Sequence, residues 1–170
     1  MANTITPAVG DILRSSLKEY YGIPSGEGAV TFHYINTGFT KLEETGGAEV
    51  DTTAYIGDRN STSAVSGYSN SFNFESRYKA GEPVCDDLYE IATKQKIGNE
   101  CVRELISINL AKVASAGGYE ARKFSIAVQA NPPSGEPKKV TTLTGTFHQN
   151  GDIVYGTFDP ATLAFTPAKA

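Results

Sequence analysis

Tryptophan is missing from this chain of 170 residues, methionine occurs once, and histidine and cysteine occur twice each. Two histidines leave little from which to build a triad or a metal centre. Neither His33 nor His148 has further ligands at a set spacing, and both read as ordinary strand residues. Cys85 and Cys101, with no export signal ahead of them, read as free thiols rather than a bridge. Cys85 falls beside the apolar stripe of a helix, where thiols pack and stay inert. The first thirty residues hold no basic start leading into an apolar stretch, and no run approaches the roughly 18 apolar residues that span a bilayer. The expectation is a protein made and held in the cytosol, with no membrane insertion. Asn60-Ser61-Thr62 matches a glycosylation acceptor, but without secretion it is only a polar loop.

Basic charge is neither in excess nor gathered. Fifteen Lys and Arg face nineteen Asp and Glu, a net charge of -4, and the densest basic groupings are Arg122-Lys123 and Lys138-Lys139. Tight binding to a phosphate backbone is therefore disfavoured. Gly46-Gly47 and Gly117-Gly118 precede strands or loops without a Gly-Lys-Ser/Thr, so no phosphate cradle is present. The adjacent carboxylates Asp86 and Asp87 are explained by the positive end of a helix before any acid–base role. No catalytic residue, metal ligand or cofactor site is assigned, and an enzyme reading has little to stand on.

What the chain does contain favours pleated structure: nine Tyr, eight Phe and frequent Thr and Val. Its length suits one domain, 1–170, with one sizeable core. Met1 to Gly10 is small and polar and is expected to be an arm ordered only by contact with something else. Asp11 to Ile23 could be a short helix or, over its second half, a strand ending at Pro24-Ser25-Gly26. Ala29 to Ile35 alternates as a strand, with Val30, Phe32 and Tyr34 on one face. Gly38 to Val50, rich in Glu and Gly, reads as an exposed loop; Thr52 to Ile56 reads as a short strand; Asp58 to Gly67, almost all polar or small, reads as another loop. Phe72 and Phe74, flanked by Ser71, Asn73 and Glu75, give a clear period of two.

One helix is expected over 82–97. Pro83 suits its first position, Asp86 and Asp87 its N-terminal end, and Lys94 and Lys96 its C-terminal end; Gly98 stops it. Its stripe of Val84, Leu88 and Ile91 must lie on a sheet. Alternation then marks strands at Cys101 to Leu110 and Tyr119 to Ala130. Asn150-Gly151, set between two alternating runs in Val140 to Phe158, is the strongest hairpin signal in the chain, and Leu163 and Phe165 suggest a short last strand.

The segment Thr53-Ala54-Tyr55-Ile56-Gly57-Asp58-Arg59-Asn60-Ser61-Thr62-Ser63, continuing to Val65-Ser66-Gly67-Tyr68 and Phe72-Asn73-Phe74, resembles the corresponding stretch of major tail tube proteins of long-tailed, siphovirus-like bacteriophages and related prophages. The resemblance runs on through Gly81-Glu82-Pro83-Val84, Leu88-Tyr89-Glu90-Ile91, Ala121-Arg122-Lys123-Phe124 and Gly156-Thr157-Phe158, covering roughly residues 5 to 166. Each motif is short; their shared order and spacing carry the likeness. Asn131 to Pro137, with Pro132-Pro133, departs from the glycine- and acid-rich loop of that family, so no contact is carried over to it.

The resemblance implies an α+β, mainly β fold: a β-sandwich or barrel-like tail tube domain with one flanking helix, extended loops and an N-terminal arm. It also implies six copies closing into a ring, with rings stacking into a hollow conduit for DNA during ejection. Its partners would be further copies of itself, the tail tip or initiator complex, and the tape measure and tail terminator proteins, with DNA passing transiently and without specific binding. Its location would be the virion tail, assembled in the host cytoplasm. Sheet edges that are a liability in a monomer can pair in a ring, and carboxylates lining a lumen would repel phosphate. The candidate subunit-interface residues are Thr4, Ile5, Thr6 and Pro7 in the arm, Leu42 and Glu43 in the first loop, and Tyr55, Ile56, Asp58, Arg59, Asn60, Val65 and Tyr68 in and around the second. Two other readings compete: the inner tube protein of a contractile tail, bacteriocin or type VI-like machine, and a small ligand- or receptor-binding β-sandwich with aromatics at its loop tips.

Overall fold

The computed structural model of the chain describes residues 10–114 and 117–168. Eleven strands and one α-helix follow in order: β1 Leu17–Pro24, β2 Val30–Tyr34, β3 Phe39–Thr45, β4 Ala48–Thr53, β5 Thr62–Tyr68, β6 Ser71–Arg77, α1 Pro83–Thr93, β7 Val102–Val113, β8 Tyr119–Ala130, β9 Thr142–Gln149, β10 Val154–Asp159 and β11 Ala164–Pro167. The fold is mainly β with one flanking helix and extended connections. The arm expected at Met1 to Gly10 lies, but for Gly10, outside the described residues.

The chain divides into two compact units. The first comprises the described parts of Met1–Asn36, Arg103–Ser125 and Gly151–Ala170. Its strands run in the order β2-β1-β7-β8, with β10 against the first half of β8 and β11 against β10. The ambiguous stretch before Pro24 resolves into a single 3-10 turn, Arg14–Ser16, and then β1. Helix is lost there because Tyr20 and Tyr21 are both buried on opposite faces of one strand, a disposition that only a period of two supplies. Tyr20, Ile106, Ile108, Ala121 and Phe158 form this unit's core, with Phe32, Tyr34, Leu110, Tyr119 and Phe165 around it. The Tyr20 and Phe158 rings lie 4.8 Å apart, and burial, then the neighbouring Tyr34 and Tyr119, raise the Tyr20 phenol above its ordinary pKa.

The second unit comprises Thr37–Val102 and Ile126–Asn150. Its strands run from the second half of β8 to β9, β6 and β3, and α1 lies against β9. Register sets Val128 opposite Phe147 and Phe147 opposite Phe72, so their side chains share the dry face. Phe74 stacks on Phe147 with ring centroids 4.6 Å apart. Opposite Phe74 stands Gly145, where a Cβ would come within 2.0 Å of the Gln129 carbonyl oxygen and 2.8 Å of the Phe74 ring; only glycine lets the ring lie flat on the strand. The helix brings Val84, Leu88 and Ile91, with Cys85 and Ala92, into the interior, and burial of each larger aliphatic side chain stabilises the unit by about 1.5–3 kcal/mol.

Several sequence expectations are corrected. Gly38 to Val50 and Asp58 to Gly67 are not loops: they hold β3, the first half of β4 and most of β5, which pair as ladders even though they bury little. The strand expected to reach Ile56 ends at Thr53, and the strand expected from Cys101 begins after a 3-10 turn at Gly98–Cys101 and reaches Val113. The helix spans Pro83–Thr93 rather than 82–97. Gln95 takes a left-handed φ of 50°, and the Lys96 amide donates to the Ile91 carbonyl at 3.1 Å, closing the helix before Gly98. Asn150-Gly151 does not close a hairpin, because β9 and β10 each pair with β8 and not with one another. Only Gly151 of the pair has a positive φ, of 93°, whereas a type I′ turn needs two such residues.

Candidate functional site

The least buried ordered element is the ribbon made by β4 and β5. The chain climbs β3, continues into β4, turns at 54–61, and descends through β5 into β6, giving one long hairpin built from two separate ladders. The lower ladder, β3 with β6, ends at Thr45 opposite Ser71; the upper begins at Ala48 opposite Tyr68. Gly46, Gly47, Ser69 and Asn70 make the joint. Gly47 has φ 47°, and a Cβ there would lie 2.2 Å from the Ser69 carbonyl oxygen. Close backbone approach, seen in the 3.0 Å bond from the Ser69 amide to the Gly47 carbonyl, therefore requires glycine. Asn70, nearly buried, fixes the root: its amide N donates to Gln149 Oε1 at 3.3 Å, its Nδ2 donates to Glu44 Oε1 at 3.3 Å, and its carbonyl accepts from the Gln149 amide at 2.9 Å.

Above the joint the residue types change in consequence. In β4 and β5 every residue but the half-buried Gly67 is exposed, so the ladder is held by backbone hydrogen bonds and a few side-chain links. Thr52 and Ser63 hydroxyls meet at 3.0 Å, and Ser66 Oγ donates to the Glu49 carbonyl at 3.2 Å, next to a β-bulge. Val50 stands opposite Val65, and Ala48 opposite Tyr68. By the period of two along β4 these pairs share one face. Val50 is 59% exposed, Val65 55% and Tyr68 67%, and at the tip Tyr55 is 70% exposed. Residues 48–68 also carry Glu49, Asp51 and Asp58 against a single Arg59. The ribbon thus offers an apolar strip, with Glu49 and Asp51 on the opposite face, that nothing in its own unit covers.

The structure brings some of the candidate interface residues together and separates others. Tyr55, Ile56, Asp58, Arg59 and Asn60 all sit in the exposed turn, where the Asp58 amide donates to the Tyr55 carbonyl at 2.9 Å, and Val65 and Tyr68 line the strip below. Glu43 is exposed on the lower ladder and pairs with Lys41 at 2.9 Å; that hydrogen bond lowers the pKa of the carboxyl and raises that of the amine. Leu42 belongs to the dry face of the same ladder, opposite Phe74, and is half-buried. Thr4, Ile5, Thr6 and Pro7 lie outside the described residues. Sequence reasoning passed over Val50. Its signal was present as one apolar residue between Glu49 and Asp51, a pattern that makes sense only if that side chain faces away from its acidic neighbours.

Elsewhere the polar groups have plain tasks. His148 is exposed, with Nε2 2.8 Å from Gln129 Oε1. Cys85 is buried with Sγ 3.4 Å from Ser76 Oγ. The Asp86 carboxylate accepts from the Gly81 amide at 3.0 Å and from the Tyr78 hydroxyl at 3.2 Å, which ties down the turn leading into α1. Among the described residues no group of three or more His, Cys, Asp or Glu could hold a metal ion, and no helix is long and apolar enough to cross a membrane.

This architecture is a tail-tube/sheath-like fold, shared with proteins of a phage tail tube, of gene transfer agent particles and of a contractile injection system. Three solved structures illustrate the likeness. A chain in the tail of the empty gene transfer agent particle, refined with C6 symmetry, matches with a TM-score of 0.61 at 11% identity, over 85% of this chain and 98% of that one. The SPP1 tail tube matches with a TM-score of 0.64 at 9% identity, over 86% and 80%. A chain of the sheath–tube complex of an extracellular contractile injection system in its extended state matches with a TM-score of 0.51 at 12% identity, over 86% and 92%. No protein-family model matches the chain, and no curated protein matches it by sequence.

Proposed function

We propose that residues 1–170 act as one tail tube domain, the structural subunit of a phage tail tube, closing into six-membered rings that stack into a hollow conduit for DNA. The observation that carries this reading is the β4–β5 ribbon: an ordered ladder with Val50, Val65 and Tyr68 exposed on one face and no burial of its own to explain it. An isolated two-stranded ribbon is marginal in water, so its stability and its apolar strip both make sense if a neighbouring copy covers it. The shared fold with the SPP1 tail tube and the six-fold tail of the gene transfer agent supports the same reading. The candidate interface residues Tyr55, Ile56, Asp58, Arg59, Asn60, Val65 and Tyr68 would make the contact, joined by Val50; Glu43 and the arm residues Thr4 to Pro7 would extend it, and Leu42 would hold the ribbon's base from within. The further partners are those of a tail: the initiator complex, tape measure and terminator, with DNA as passing cargo.

The inner tube of a contractile machine is the second reading, supported by the likeness to the sheath–tube complex. Sedimentation velocity over a concentration series tests the first claim common to both. Self-association that steepens with concentration is expected, and a single monomeric boundary at every concentration, with initiator complex added, would reject it.

A further inference from the structure

The ribbon's tip holds an aliphatic side chain that the strip below it does not explain. The bond from the Asp58 amide to the Tyr55 carbonyl closes a β-turn with Ile56 and Gly57 at its centre. Turn centres draw on Gly, Pro, Asn, Asp and Ser, each of which serves the turn through its backbone or a short polar side chain. A β-branched aliphatic residue does neither. Ile56 is nonetheless there, and its relative exposure is 110%, so its own chain gives it no burial.

The first unit holds a depression of about 440 Å³ on its sheet. Register sets Leu17 beside Asn109 and Tyr155 beside Arg122, and the period of two turns these side chains away from the core residues Ile108 and Ala121. Leu17 and Tyr155 line the depression and are both exposed, Tyr155 at 61%. Ala168 joins them, its amide donating to the Tyr155 carbonyl at 2.9 Å. The polar lining is already served: Arg122 donates to the buried Ser107 hydroxyl at 3.5 Å, and Lys112 pairs with Glu120 at 3.6 Å. No buried side-chain nitrogen or oxygen among the described residues lacks a hydrogen-bond partner. The depression therefore holds no orphaned group for a polar ligand to satisfy, whereas Leu17, Tyr155 and Ala168 present mostly carbon.

We infer that this depression is the socket for Ile56 of a second copy of the chain. The inference rests on the proposed role as a tube subunit, and it names the surface that the ribbon's tip meets. Knob and socket stand on the same chain and are both uncovered in it, so the contact joins unlike surfaces of two copies. Such a contact is head-to-tail, repeating from copy to copy until it closes as a ring or runs on as a filament. The charges fit in both signs. Asp58 and Arg59 follow Ile56 at the tip, while the depression is lined by Lys112 and Arg122, which suit the carboxylate, and by Glu120, which suits the guanidinium. The Lys112–Glu120 pair is exposed and loosely held, so turning it toward the tip's charges costs little.

The test is cross-linking between differently tagged full-length chains on a Cys101→Ser background, in which the remaining Cys85 is buried. Ile56→Cys is placed in one chain and Leu17→Cys in the other, so a disulfide between the tags joins two copies. Mild oxidation of the assembled mixture is expected to give that disulfide, and several-fold less when Val140→Cys, also exposed, replaces Leu17→Cys. Ile56→Asp, and Leu17→Trp filling the socket from within, are each expected to raise the critical concentration for assembly about tenfold or more, with the melting temperature of the dilute chain unchanged. Should Leu17→Trp fail to fold, Ile56→Asp decides, since it alters only the exposed tip. Tubes that form without a cross-link above the Val140 control, or at an unchanged critical concentration with Ile56→Asp, would overturn the socket and leave the tube reading standing. An unmodified chain that stays monomeric with initiator complex added would overturn both.

Discussion

Tyr68→Ala and Val65→Asp separate the ribbon's role in assembly from any role in the fold. Tyr68 is 67% exposed and Val65 55% exposed, so within one chain neither has much burial to lose. Substitutions at such positions stay within about 0.5 kcal/mol, which for a chain of this size moves the melting temperature by at most about 2 °C. Across an interface the magnitude is different. An aromatic anchor at the centre of a contact is worth about 2 kcal/mol or more, roughly a thirtyfold change in one association constant. A carboxylate at position 65, once covered by a neighbouring copy, would be an uncompensated buried charge on the apolar face. The assay is paired: thermal unfolding of the dilute protein by circular dichroism, and the critical concentration for assembly by pelleting. Unchanged melting with a critical concentration raised at least tenfold is expected for Tyr68→Ala, and no assembly for Val65→Asp. Normal assembly by both variants would refute the ribbon's part, and a fall of several degrees in melting would show that the side chains serve the monomer instead.

Three further outcomes follow from the interior and the helix. Phe147→Ala removes a fully buried ring stacked on Phe74 and is expected to cost about 3–5 kcal/mol, read as a lower denaturant midpoint; a loss under about 1 kcal/mol, the range of many surface changes, would contradict the stacked core. Gly145→Ala forces a methyl against the Gln129 carbonyl and the Phe74 ring, whereas Gly57→Ala meets nothing within 4 Å; the first is expected to lower the midpoint strongly and the second to leave it in place. Hydrogen bonds from Lys94 and Lys96 at 2.7 and 3.1 Å lower the Glu90 pKa from its ordinary 4.5 to about 2. The depressed value means that this helix-end contribution is present above pH 4.5 and fades as the pH falls through about 2. An NMR titration of Lys94→Met/Lys96→Met is expected to return the Glu90 midpoint toward 4.5, and an unmoved midpoint would contradict the ion-pair cause.

Where one face of an element is dry, the sequence could be read. Val30, Phe32 and Tyr34, or Phe72 and Phe74, alternate with polar residues because burial selects every second side chain. The helix was legible because Pro83 and the Val84, Leu88 and Ile91 stripe fit the period of 3.6. The β4 and β5 strands were missed because neither face of the ribbon is selected by burial within the chain, and Glu49 and Ser63 are as acceptable there as Val; β3 was missed because Phe39 and Leu42 are its only half-buried residues. Hairpin closure and backbone pairing decide those strands, and single-residue pattern does not report them. Gly98 and Asn150-Gly151 misled for the opposite reason: both are strong local signals, overruled by Gln95 closing the helix early and by β8 and β11 occupying both edges of β10. Among the site residues, the turn at Asp58 to Asn60 was legible from its polarity, whereas Tyr55 and Ile56 read as the end of a strand and the apolar strip needed the register that sets Val50 against Val65.

Electron microscopy of the purified chain at rising concentration, negatively stained with and without an initiator complex, tests the central claim most directly. Hollow tubes whose end views show six subunits around an open centre are the expected result. Dispersed single particles at every concentration in the presence of initiator would contradict it.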